Sequence, residues 1–232
     1  MRTVEKFIGA LCVAALVLAA GQQVEGAIIT VPTGLNPGDP YRLIFVTSTT
    51  TQATESSAAY YNDFVYNLAM SVPALAALNT TWTVAGNLNG IGPWENTGTE
   101  GDDDIPIYRL DNVVFAANYT ALKGQATVPV LVNEKGEEMN AAGVGAGRVW
   151  TGMTEAGGVP GFNPANYIGA HANTDSGATD GAYYTWGFHG QASTTENHLY
   201  AMSGVIPEPA TGGLILLGAT AFLGLLRRKL HG

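Results

Sequence analysis

Tyr41-Arg42-Leu43-Ile44-Phe45-Val46-Thr47 is the stretch that sets the fold class. It crowds β-branched and aromatic side chains into a short run, launched from the turn residues Asn36-Pro37-Gly38-Asp39-Pro40. That combination predicts a strand. Beyond the polar stretch 48–57, Tyr61, Phe64, Val65 and Leu68 recur at helical spacing, with Ser56 or Ser57 as the N-cap. A second helix is expected from Ser71 as cap and Pro73 in the first turn, with Leu75 and Leu78 as its apolar positions. Thr81-Trp82-Thr83-Val84-Ala85 then returns to strand.

After this point helical periodicity ends. Short strands are expected at 105–110, 111–116, 127–132, 148–151, 183–186 and 199–205. Long polar, glycine-rich loops separate them, such as 87–104 and 153–181. Loops of that length in a compact domain mark function or disorder. The expected fold class is therefore α+β: a mixed domain with N-terminal helices, many short strands and long loops.

Four segments carry a family likeness: Tyr41-Arg42-Leu43-Ile44-Phe45-Val46-Thr47-Ser48, Thr81-Trp82-Thr83, Val149-Trp150-Thr151-Gly152 and Leu199-Tyr200-Ala201-Met202-Ser203. Together they resemble bacterial secreted domains of unknown activity related to the endostatin and C-type-lectin-like fold. The resemblance implies a C-type-lectin-like plan. The chain departs from true C-type lectins in lacking both disulfides and the Glu-Pro-Asn or Gln-Pro-Asp sugar-and-calcium motif. Sugar binding is thus not carried over residue by residue.

The two ends read as export signals. Residues 1–26 have a mildly basic start, an apolar run over 7–20 and small residues before Ala27, the plan of a signal peptide. Val24-Glu25-Gly26 is the expected cleavage site, with Leu18-Ala19-Ala20 as the alternative. Cys12, the single cysteine, lies inside that peptide. Residues 205–232 run from Pro207-Glu208-Pro209 through the uncharged stretch 210–226 to the basic end Arg227-Arg228-Lys229. As a helix that stretch would be about 25 Å long, the short end of a membrane span. The basic end favours a cytoplasmic C-terminus. The tail resembles the PEP-CTERM sorting signal of Gram-negative bacteria. The resemblance implies signal peptidase and an exosortase as processing partners, Pro207, Glu208, Pro209, Arg227 and Arg228 as signal residues, and a C-terminal transmembrane helix as a passing inner-membrane tether. The destination is the cell surface or the extracellular matrix.

Between the signals, residues 27–204 form one expected domain without cysteine, held by packing alone in an oxidising compartment. Its basic residues are Arg42, Arg109, Lys123, Lys135 and Arg148, five against sixteen acidic ones, a net charge of −11. So acidic a domain argues against nucleic-acid or anionic-membrane binding and is compatible with solubility outside the cell and with divalent cations, and an extracellular polysaccharide is a candidate partner.

The sequence offers few residues for chemistry. Glu100-Gly101-Asp102-Asp103-Asp104 is the densest acidic run, and Glu100, Asp102 and Asp104 are candidate calcium ligands on a glycine-containing loop. The run lacks the spacing of an EF-hand, and solvated loop charge is the competing account. Asp175-Ser176-Gly177-Ala178-Thr179-Asp180 is a second acidic loop candidate. Beyond calcium no cofactor is indicated. Trp94 and Trp186, in or beside loops, are candidates for stacking on sugar rings, against packing beneath a loop. His171, His189 and His198 fall at no metal-binding spacing, and there is no Gly-x-Ser-x-Gly elbow. Three functions follow: a noncatalytic exported surface or matrix protein, a lectin-like carbohydrate-binding module with or without calcium, or a secreted hydrolase whose site is not visible as a motif.

Overall fold

β1 (Pro40–Val46) is the spine of the fold, and Tyr41 through Val46 are all buried. The computed structural model describes residues 27–124, 127–139, 147–156, 159–162, 166–169, 172–179, 185–187 and 189–207. Continuous burial means a strand covered on both faces. Its side chains alternate accordingly. Tyr41, Leu43 and Phe45 enter one apolar cluster, and Ile44 and Val46 enter the other.

The first face is covered by α1 (Ala58–Ser71) and α2 (Pro73–Ala76), which supply Tyr61, Val65, Ala69 and Leu75. The spacing of Tyr61, Val65 and Ala69 is the helical stripe, with Phe64 packed half-buried at its edge. Ser57 is the N-cap of α1. Ser71 does not cap α2: its hydroxyl donates back to the Leu68 carbonyl at 2.6 Å, and Val72 holds the cap position ahead of Pro73.

The remaining strands are β2 (Trp82–Val84), β3 (Ile107–Arg109), β4 (Val114–Ala116), β5 (Arg148–Trp150), β6 (Met153–Ala156), β7 (Val159–Phe162), β8 (Asn173–Ala178), β9 (His189–Ala192), β10 (His198–Ser203) and β11 (Ile206–Pro207). Nine of the eleven strands among the described residues form one mixed sheet in the order β4-β3-β1-β10-β5-β8-β9, with β2 also on β10 and β11 also on β1. β1 runs antiparallel to β10, with Phe45 opposite Ala201, and parallel to β3. β6 and β7 make a separate antiparallel pair. Two further short helices, α3 (Pro93–Thr97) and α4 (Tyr119–Leu122), lie on the second face.

This architecture corrects the expected C-type-lectin-like α+β plan. One large mixed sheet dominates, and among the described residues only α1 exceeds five residues. The segment read as a long loop over 153–181 contributes β6, β7 and β8 instead. Small and polar residues hid that pairing: Asn173-Thr174-Asp175-Ser176-Gly177-Ala178 has little apolar alternation, yet five of its six residues are buried. The strand expected at 111–116 shortens to Val114–Ala116, because Asn112 turns the chain at φ 69°. The expected C-terminal transmembrane helix is also corrected. Among the described residues no helix is long and apolar enough to cross a membrane, and 210–226 lie outside them, as does the signal peptide 1–26.

Candidate functional site

The second face of the sheet carries a cleft of about 490 Å³, lined by Gly90, Gly92, Trp94, Glu95, Glu100, Tyr119 and Lys123. α3 places two of these side chains. Pro93 at its first position presets φ for a helix, and Gly98 closes it in the left-handed region at φ 61°. Thr99 then bonds back to the Trp94 carbonyl at 2.9 Å, so the acidic turn 99–104 begins at a fixed height above Trp94.

α4 forms the opposite wall. Asn118 caps it by accepting from the Ala121 N–H at 2.8 Å. The Tyr119 N–H donates to the Asp102 carbonyl, and the Thr120 hydroxyl reaches Asp103 at 3.2 Å. Lys123, four residues on from Tyr119, holds its ammonium 4.0 Å above the centre of that ring. The side chains of Glu95 and Glu100 make no hydrogen bond or ion pair among the described residues.

Beneath the cleft lies an aromatic pillar. Trp94, 8% exposed, meets Trp186 edge-on at 5.4 Å. Trp186 in turn packs edge-on against Phe115 at 5.8 Å and Tyr200 at 5.6 Å. Tyr200 belongs to β10, so the cleft floor rests on the central sheet.

Arg42 anchors the acidic turn from inside. Its guanidinium donates to Asp102 through Nε at 2.9 Å and Nη2 at 2.7 Å. The same group donates to the carbonyls of Thr97, Gly98 and Ser203. One side chain on β1 therefore ties the end of α3, the turn and the end of β10 together.

The sequence candidates separate on this geometry. Glu100 and Trp94 meet in the cleft. Trp186, fully buried, supports Trp94 from below and presents no ring face to solvent. Asp102 turns inward to Arg42, while Asp104 is exposed on the same turn. No three His, Cys, Asp or Glu side chains are grouped as metal ligands among the described residues. Asp175 is buried on a strand and not on a loop. Pro207 ends β11, whereas Glu208, Pro209, Arg227, Arg228 and His171 lie outside the described residues. Glu95, Tyr119 and Lys123 were missed, because each stands alone in a polar stretch and only the fold brings them together.

A second polar cluster sits at the other end of β10. Glu134 is fully buried and accepts the Ser48 N–H at 2.8 Å together with the Ser48 hydroxyl. The neighbouring His198 has its pKa lowered from 6.5, first by burial, which outweighs the upward pull of the Thr47 and Thr49 backbone and the Glu134 charge. Its Nδ1 is buried without a hydrogen-bond partner among the described residues. The serine hydroxyl donates to the carboxylate and not to the imidazole, the wrong order for a nucleophilic triad.

The lowered pKa has a measurable sign. As pH falls through 6.5 the unfolded imidazole takes up a proton before the folded one, so the unfolded state binds more protons and stability drops. Below the folded pKa no further loss arises from this group. Urea denaturation between about pH 7.5 and 5.5 should therefore show a smaller decline for His198→Gln than for the wild type. Parallel declines would remove His198 from the cause.

The chain matches no protein-family model and no curated protein.

Proposed function

We propose that this is an exported, noncatalytic surface or matrix protein that binds extracellular glycan through the Trp94–Tyr119 cleft. The observation that carries the reading is the cleft's chemistry. Aromatic carbon from Trp94 and Tyr119 borders two carboxylates and an ammonium that are free to exchange hydrogen bonds with a ligand. A sugar ring offers the complement, an apolar C–H face and a fringe of hydroxyls, and small-ligand clefts pair apolar walls with a few polar groups. The acidic composition of 27–204 accords with solubility outside the cell.

Export rests on the two terminal signals. The tail is the substrate of an exosortase, which removes it near Pro207-Glu208-Pro209. Intact-mass analysis of protein extracted from the cell surface should find a form lacking Arg227 and Arg228. A surface form that still carries them would sink the sorting reading.

The glycan reading is tested on a glycan array with the wild type and Tyr119→Ala, in calcium and in EDTA. The wild type should retain a defined set of glycans, and Tyr119→Ala should lose about 1–3 kcal/mol of affinity through the missing ring. An array blank in both buffers would refute the glycan reading. Release of reducing ends by the same preparation would make the protein a hydrolase.

A further inference from the structure

We infer that the glycan taken by this cleft carries protonated amino groups. The inference rests on the glycan reading above and specifies the chemical class of its ligand.

The argument begins with the unbalanced charge. Two carboxylates, Glu95 and Glu100, line the cleft, against the single ammonium of Lys123. Neither carboxylate has a partner among the described residues. Lys123 is drawn aside over the Tyr119 ring and forms no ion pair with either among the described residues, and one ammonium against two carboxylates leaves the lining net negative. Asp103 and Asp104 stand exposed on the same turn as Glu100 and extend the negative field around the cleft. The exported region as a whole carries −11.

An acidic polysaccharide would be repelled by this arrangement, and a neutral one would leave both carboxylates unpaired by charge. An amine-bearing sugar satisfies each part. Its ammonium pairs with Glu95 or Glu100, its hydroxyls bond to the other, and its C–H face lies on the aromatic wall.

Lys123 has a definite place in this scheme. It holds the ring face of Tyr119 in the absence of ligand and opposes any incoming cation. Removing it should strengthen binding of the amine-bearing sugar by more than that of its neutral counterpart, because freeing the ring face serves both ligands and losing the like charge serves only the cation.

The experiment is calorimetric titration of the full chain with a glucosamine tetramer and with its N-acetylated counterpart, at a pH where the free amines are protonated. The glucosamine tetramer should bind about tenfold more tightly in low salt, with the difference shrinking as salt is added. Glu95→Gln/Glu100→Gln should erase the preference. Lys123→Met should enlarge it. Equal or tighter binding of the N-acetylated tetramer overturns the inference and leaves glycan binding standing, whereas binding of neither overturns both. A lysine tetramer is the remaining arm. If it binds as tightly, with the same dependence on Glu95 and Glu100, the site recognises cations without regard to the sugar, and the assignment to a glycan falls.

Discussion

Arg42→Met should cost the domain about 3–5 kcal/mol in urea or guanidinium denaturation, a large part of the stability of a domain this size. The guanidinium is almost fully buried, and its bonds to the Thr97 and Ser203 carbonyls are buried too. Methionine keeps much of the apolar stem but leaves those carbonyls, the Gly98 carbonyl and Asp102 without their donor. Each of the two buried carbonyls costs about 1–3 kcal/mol when orphaned, whereas the Gly98 carbonyl and Asp102 reach water. Asp102→Asn should cost less, about 1 kcal/mol, because the three carbonyls keep their partner. The same comparison decides what the acidic turn is for. If Asp102 serves as the anchor of Arg42, its loss should be equal in millimolar CaCl₂ and in EDTA. If calcium raises the wild-type melting temperature and the asparagine variant abolishes that rise, the turn holds the ion.

The contrast between Arg42 and its neighbours shows where the sequence could be read and where it could not. Apolar density made a strand over 41–47 plain, one residue off the observed Pro40–Val46, and the pattern of Tyr61, Phe64, Val65 and Leu68 made α1 plain, since both signals are local. The single charge in that strand, Arg42, is a buried anchor that the sequence shows only as one of the basic residues. Its partner lies sixty residues away, and no local pattern connects them. Asp102 is accordingly only a candidate calcium ligand or a solvated loop charge in the sequence, whereas in the fold its carboxylate faces Arg42. β8 failed for a different reason. Its stability comes from pairing with β5 and β9 on both sides, so Ser176 and Gly177 sit in a buried strand without any apolar signature. Gly177 also has to remain glycine, since an added Cβ would collide with the Thr185 carbonyl oxygen. Of the cleft, Trp94 and Glu100 were legible as an aromatic and an acid on loops. Tyr119 and Lys123 were not, since an isolated tyrosine followed four residues later by a lysine is common on any polar surface.

Trp186→Ala should damage binding and stability together, and the order of the two effects tests how the cleft is built. The side chain is fully buried and touches Trp94, Phe115 and Tyr200 edge-on. Removing it should cost about 3–5 kcal/mol, from lost burial and the void left behind. Tyr200 and Phe115 are held by the sheet and should move little. Trp94 sits on α3, a helix of five residues, and has Trp186 as its support from below. It should sink toward the void and draw the floor of the cleft with it. Trp186→Phe should restore most of the stability, since it refills part of the volume, but should restore glycan binding only in part, because a smaller ring cannot hold Trp94 at its present height. A variant that regains stability while binding remains weak would place Trp186 as the support that positions the cleft. Binding unchanged in Trp186→Ala would mean that the acidic turn and α4 hold the ligand without Trp94, and that the aromatic floor contributes to folding alone.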